Sequence, residues 1–178
     1  GNLCNASPAA DGVPALLALD AQVELAAPSG MRRMPLSDFI TGPRATKLVP
    51  GEILTALFIP EATGQGAFLK LGARRYLVIS IAMVSAVVEM EDGTIESARL
   101  AVGACSPVAR RLPTLEATLA GKTIAQAEQA ALDYGYPELS PIDDVRAGAG
   151  YRREAVATLV ARALSQAALT DKEVPHVA

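Results

Sequence analysis

The sequence predicts an α+β fold, with strands gathered early and helices gathered late. Two patterns carry that prediction. Apolar residues alternate on either side of Asp92-Gly93, a dipeptide that favours a two-residue hairpin. Val156, Leu159, Val160, Ala163, Leu164 and Ala167 then form a stripe at helical spacing. Strands followed by helices point to segregated layers. The chain has 178 residues, 51% of them hydrophobic and 4% aromatic. That length suits one domain, or two small ones sharing a core, and a chain of this size buries roughly 70% of its unfolded surface.

In chain order, Asn5 to Pro8 is turn chemistry. Asp11 sits where it would cap a helix carrying Pro14, Leu16, Leu17 and Leu19. Val23 and Leu25 alternate with Gln22 and Glu24, a strand pattern. Pro28-Ser29-Gly30 is a turn, Met31 to Met34 a returning strand, and Leu36 to Phe39 a helical turn. Gly42 to Gly51 reads as loop, and Glu52 to Ile59 as a strand stopped by Pro60. Glu61 to Gly66 reads as a flexible connection, with a domain boundary near residue 62. A strand from Ala67 to Gly72 follows and is interrupted at Ala73 to Tyr76. Ser80 to Met90 reads as a helical turn feeding a strand, and Glu96 to Ala104 as its hairpin partner. Helices are expected from Leu115 to Ala120, Thr123 to Asp133 and Tyr151 to about Leu169, with a frayed tail at 171–178.

Composition excludes several kinds of chemistry. A net charge of −3 lacks the basic footprint of a nucleic-acid binder. The longest apolar run, Leu77 to Val88, is broken by Ser80 and Ser85 and falls short of a membrane span. No secretory leader is evident, so a cytoplasmic location is expected. Two cysteines, Cys4 and Cys105, are too few for a structural zinc or an iron–sulfur site. Cys105 reads as a core residue. The lone histidine, His176, lies in the tail and makes a poor catalytic base. Gly64-Gln65-Gly66 lacks the third glycine of a dinucleotide loop and reads as linker. Arg74-Arg75 and Arg110-Arg111 read as solvated ends of elements.

An ordered series of motifs goes further. Gly1-Asn2 leads into Ser7-Pro8-Ala9-Ala10-Asp11. Gly42-Pro43-Arg44, Pro50-Gly51-Glu52-Ile53-Leu54 and Phe68-Leu69-Lys70-Leu71-Gly72-Ala73-Arg74-Arg75 follow. Ser140-Pro141-Ile142-Asp143-Asp144-Val145-Arg146 then precedes Tyr151-Arg152-Arg153-Glu154. The series resembles the FAD-binding subunits of the molybdenum hydroxylase family, which includes xanthine dehydrogenase and CO dehydrogenase. The resemblance implies that residues 1–62 form the second half of a vanillyl-alcohol-oxidase-type FAD domain. Residues 63–170 would form a small antiparallel sheet with C-terminal helices. Gly1 would lie inside the second flavin loop, so the pyrophosphate-wrapping half would be missing or carried by another chain.

The same resemblance implies the site. Gly1 would let backbone approach the cofactor, and the Asn2 amide would bond flavin or phosphate oxygens. Asp11 would accept from ribityl or ribose hydroxyls; read without the family, it is a helix cap. Leu54 would lie beside the cofactor, or be an ordinary strand core residue. Lys70 would stabilise the anionic reduced flavin, or be a solvated edge lysine. Tyr76 would cover the ring face from the loop holding Arg74 and Arg75, and Ser7 is a further candidate. No residue is assigned a catalytic role and none a metal. FAD would be shared with the missing N-terminal subdomain. Molybdopterin would sit on a large subunit and 2Fe-2S clusters on a small one, with electrons passing through FAD to NAD or oxygen. Two other readings remain: a non-redox docking or assembly module, and, remotely, a cysteine or serine hydrolase.

Overall fold

The computed structural model describes residues 1–169, so the tail and His176 lie outside the described residues. The chain opens with a helical turn, α1 (Asn2–Asn5), then α2 (Gly12–Ala18). Strands β1 (Gln22–Ala27) and β2 (Gly30–Pro35) form a hairpin through the predicted turn. The turn α3 (Leu36–Phe39) follows. The segment expected to be loop instead contains a small hairpin, β3 (Ile40–Gly42) with β4 (Ala45–Thr46). Arg44 takes φ 58 at its tip, which lets so short a connection close. Strand β5 (Ile53–Phe58) completes an antiparallel sheet in the order β2-β1-β5.

A second antiparallel sheet has the order β6-β7-β8-β9. It comprises β6 (Gln65–Leu71), β7 (Ala82–Glu91), β8 (Thr94–Gly103) and β9 (Arg110–Arg111). Asp92 (φ 49) and Gly93 (φ 79) turn β7 into β8 with both central residues left-handed, as a type I′ turn requires. The helices α4 (Pro113–Leu119), α5 (Ile124–Asp133) and α6 (Ala149–Ala168) close the fold. Thr123 and Gln126 form a reciprocal capping box at α5. Gly121 (φ 76) follows α4 as predicted.

Two expectations about strand limits change. Gln65 and Gly66 belong to β6, paired with Val88 and Val87, rather than to a linker. Gly64 (φ 91) packs so closely that an added Cβ would lie 2.5 Å from the Val88 carbonyl oxygen. Ser80 starts no helical turn. The Ile81 N–H donates to the Leu71 carbonyl at 2.8 Å, closing the base of the intervening loop, and β7 begins at Ala82.

The hydrophobic interior falls into two clusters that meet at the second sheet. Ala86, Val88, Leu100 and Val102 face α4 to α6, together with Leu115, Val156, Val160 and Leu164. Val87 and Ala101 point the other way, into a cluster with Val13, Leu17, Val23, Leu25 and Phe39. Period-two alternation thus puts apolar residues on both faces of one hairpin. Arg111 is part of this junction, not a solvated end. Its guanidinium donates to the Leu17 carbonyl at 3.0 Å, to Asp20 Oδ1 at 2.6 Å and to Glu116 Oε1 at 2.7 Å. Glu116 Oε1 also accepts from the Leu100 N–H at 2.7 Å, which ties α4 to β8. Arg110 remains exposed, as expected.

Candidate functional site

Three parts of the chain converge on one carboxylate. Asp11 occupies the N-cap of α2, yet its side chain caps nothing. Its Oδ2 accepts from Lys70 Nζ at 2.5 Å, and its Oδ1 accepts from Ser80 Oγ at 2.6 Å. Lys70 lies one residue from the end of β6, and Ser80 lies at the foot of the loop that follows. The ion pair is partly solvated, with side-chain exposures of 29% for Lys70 and 46% for Asp11. Ser80 is 2% exposed. The carboxylate is therefore anchored from the buried side and open on the other.

Beside this pair lies a cleft of about 390 Å³. It is lined by Gly1, Asn2, Leu3, Cys4, Gly12 and Leu16 together with Leu54 and Leu57 of β5. Gly12, the neighbour of Asp11, packs tightly: an added Cβ would sit 3.2 Å from Asn2 Oδ1. Gly1 meets nothing within 4 Å of such a Cβ, so packing within the described residues does not demand glycine there. Leu54 is half-buried on its strand and packs against the cluster around Val23 and Leu25.

The structure thus gathers the predicted residues into two neighbouring groups. Gly1, Asn2 and Leu54 share the cleft, while Asp11 and Lys70 share a salt bridge. Tyr76 joins neither group. The residue is 68% exposed, and the Arg75 guanidinium lies 5.2 Å from its ring centroid. Arg74 donates to the Leu77 carbonyl within the same loop. Ser7 accepts from the Ala9 N–H at 3.3 Å and lines a second cleft of about 380 Å³ with Arg44, Ser80, Asp144, Arg146 and Arg152. Asp144 there is pulled down to about 2, first by the Arg146 N–H and then by the Ala147 N–H and Arg152. Sequence reasoning did not single out Ser80 or Gly12, which the structure places against Asp11 and Asn2. A serine before an apolar strand carries no local signal for a partner 69 positions away.

Residues 67–167 match the family described as CO dehydrogenase flavoprotein C-terminal domain, more than half of the chain. The chain belongs to the molybdenum hydroxylase flavoproteins. Residues 1–62 match a second family, FAD binding domain in molybdopterin dehydrogenase. Among curated relatives, the nicotine 6-hydroxylase medium subunit of Paenarthrobacter nicotinovorans is 32% identical over 171 residues. The carbon monoxide dehydrogenase medium chain of Hydrogenophaga pseudoflava is 29% identical over 170 residues. Each match covers 94% of this chain and 59% of the relative, so the chain spans about three-fifths of their length. A reconstituted CO dehydrogenase from Oligotropha carboxidovorans superimposes with a TM-score of 0.88 at 27% identity, over 94% of this chain and 59% of that one. The fold is therefore that of the CO dehydrogenase medium subunits. The relatives are flavoprotein subunits of oxidoreductases.

Proposed function

We propose that this chain supplies one wall of an FAD site in a molybdenum hydroxylase complex. The observation that carries the reading is the salt bridge between Asp11 and Lys70, beside a cleft whose lining includes the Asn2 amide and leucines. That donor set suits FAD. Asn2 offers a donor and an acceptor, Asp11 accepts from hydroxyls, Lys70 places a cation nearby, and Leu54 and Leu57 cover apolar ring edges. Bound FAD supplies reversible hydride and electron transfer. This chain's residues hold and orient it, and Lys70 favours its negatively charged reduced form. Tyr76 would cover the ring face after movement of its loop.

The wider assembly follows from the family. Substrate would be oxidised at molybdopterin on a large subunit, electrons would cross 2Fe-2S clusters on a small subunit, and FAD would deliver them to NAD or oxygen. Residues 1–62 would complete an FAD domain begun by an N-terminal subdomain, and residues 63–170 would form the C-terminal domain. We place the complex in the cytoplasm, where free thiols such as Cys4 and Cys105 persist.

One observation favours docking as an additional role. Ile53 and Phe58 of the edge strand β5, with Ile59 after it, leave apolar side chains exposed. The decisive experiment is co-expression with a chain supplying the remaining length of the relatives. A flavin absorption spectrum in the purified complex is expected. A stable complex without flavin would instead leave docking as the chain's role.

A further inference from the structure

We infer that Ser80 is a positioning residue for the cofactor, acting through Asp11; the inference rests on the FAD reading above. Asp11 stands at the mouth of α2, 46% exposed at its side chain, on a Cα–Cβ stem that permits several rotamers. Lys70 alone would hold it loosely, because exposed ion pairs contribute little and long side chains are mobile. Ser80 changes that. It is 2% exposed, and its hydroxyl donates to Oδ1 at 2.6 Å from the side opposite solvent. Its backbone is fixed by its neighbour, since the Ile81 N–H is held by the Leu71 carbonyl at 2.8 Å. Lys70 approaches the other oxygen from the same strand end that supplies Leu71.

The carboxylate is thereby bonded at both oxygens, by Lys70 from β6 and by the buried Ser80 from the foot of the loop. The remaining lone pairs of Oδ1 and Oδ2 keep one direction and can accept a ligand hydroxyl without paying to order the side chain. Ser80 also stands at the foot of the loop carrying Tyr76, so a single hydroxyl ties the loop foot to the ligand-binding acid. Serine suits this post because its hydroxyl donates to the carboxylate.

The test uses the assembled flavoprotein complex, with FAD dissociation followed by flavin fluorescence. Ser80→Ala should weaken FAD binding by about tenfold, the scale of a hydrogen bond to a charged group. Ser80→Thr, which keeps the hydroxyl, should restore affinity to within about threefold of the parent. In an Asp11→Asn background, Ser80→Ala should have less than half of its effect on the logarithm of affinity, because the two residues act as one unit. The inference is overturned if Ser80→Ala leaves affinity within twofold. It is equally overturned if threonine fails to rescue, or if the alanine effect persists undiminished beside Asp11→Asn. A parent complex that carries no FAD overturns the functional reading and this inference with it.

Discussion

Lys70 Nζ lies 2.5 Å from Asp11 Oδ2, although 59 residues separate them in the chain. The acid comes from the cluster that packs β1 and α2, and the lysine from the sheet that packs α6. The pair is therefore a product of tertiary structure, joining two parts of the chain that each pack elsewhere.

That pair sets the first expectation. Asp11→Asn should weaken FAD binding in the assembled complex by about ten- to a hundredfold, the range for losing a charged acceptor. Lys70→Met should lower the two-electron flavin potential by roughly 20–60 mV, because the reduced form loses its nearby cation. Spectroelectrochemical titration reads the second effect. An unchanged potential would remove Lys70 from the flavin environment.

Acid stability follows from two other carboxylates. Arg32 and the Val49 N–H hold Glu52 at about 2, well below its ordinary value. Asp144 is held at about 2 by the Arg146 N–H and its other donors. In both cases the unfolded chain binds protons more readily than the folded one. Their contribution is complete above about pH 4.5 and fades as pH falls toward about 2. Glu52→Gln and Asp144→Asn should each flatten the fall in stability between those limits. Chemical unfolding at a series of pH values, followed by circular dichroism, is the measurement. Parallel curves for variant and parent would show that neither carboxylate titrates differently in the fold.

The two thiols should differ sharply in reactivity. Cys4 is exposed, whereas Cys105 is 1% exposed and burial pushes its thiol up to about 11. An Ellman assay on the native protein should titrate one thiol promptly and the second only after denaturant is added. Prompt reaction of both thiols would mean that the end of β8 opens freely.

Gly103 tests the seam between the clusters. A Cβ there would fall 2.6 Å from Met83 Cε and 2.8 Å from Pro14 Cγ. The methionine can swing aside, but the proline ring on α2 cannot. Gly103→Ala should cost about 1–3 kcal/mol in urea unfolding, as overpacking does. A neutral result would show that α2 yields against β8 without cost.

Much of this architecture was legible in the sequence, for reasons that differ by element. The Asp92-Gly93 turn and the stripe from Val156 to Ala167 are local signals, complete within a few residues. The β3–β4 hairpin was missed because its strands are two or three residues long, too short to show alternation. Arg111 looked like surface because a charged pair at a strand end usually is. Its partners at Leu17 and Asp20 lie more than 90 positions upstream. The motif series singled out Asp11 and Lys70, but it had no means of finding Ser80, whose contact with Asp11 exists only once the loop foot meets α2.

The hairpin of β7 and β8 has a further consequence. It is a partition with one cluster on each side, so neither side can open fully while it remains intact. The amides of Val87 and Ala101 should then be among the slowest to exchange with deuterated solvent, reporting global rather than local opening. A chain with so few aromatic rings thus obtains its cohesion by letting one pair of strands serve two interiors.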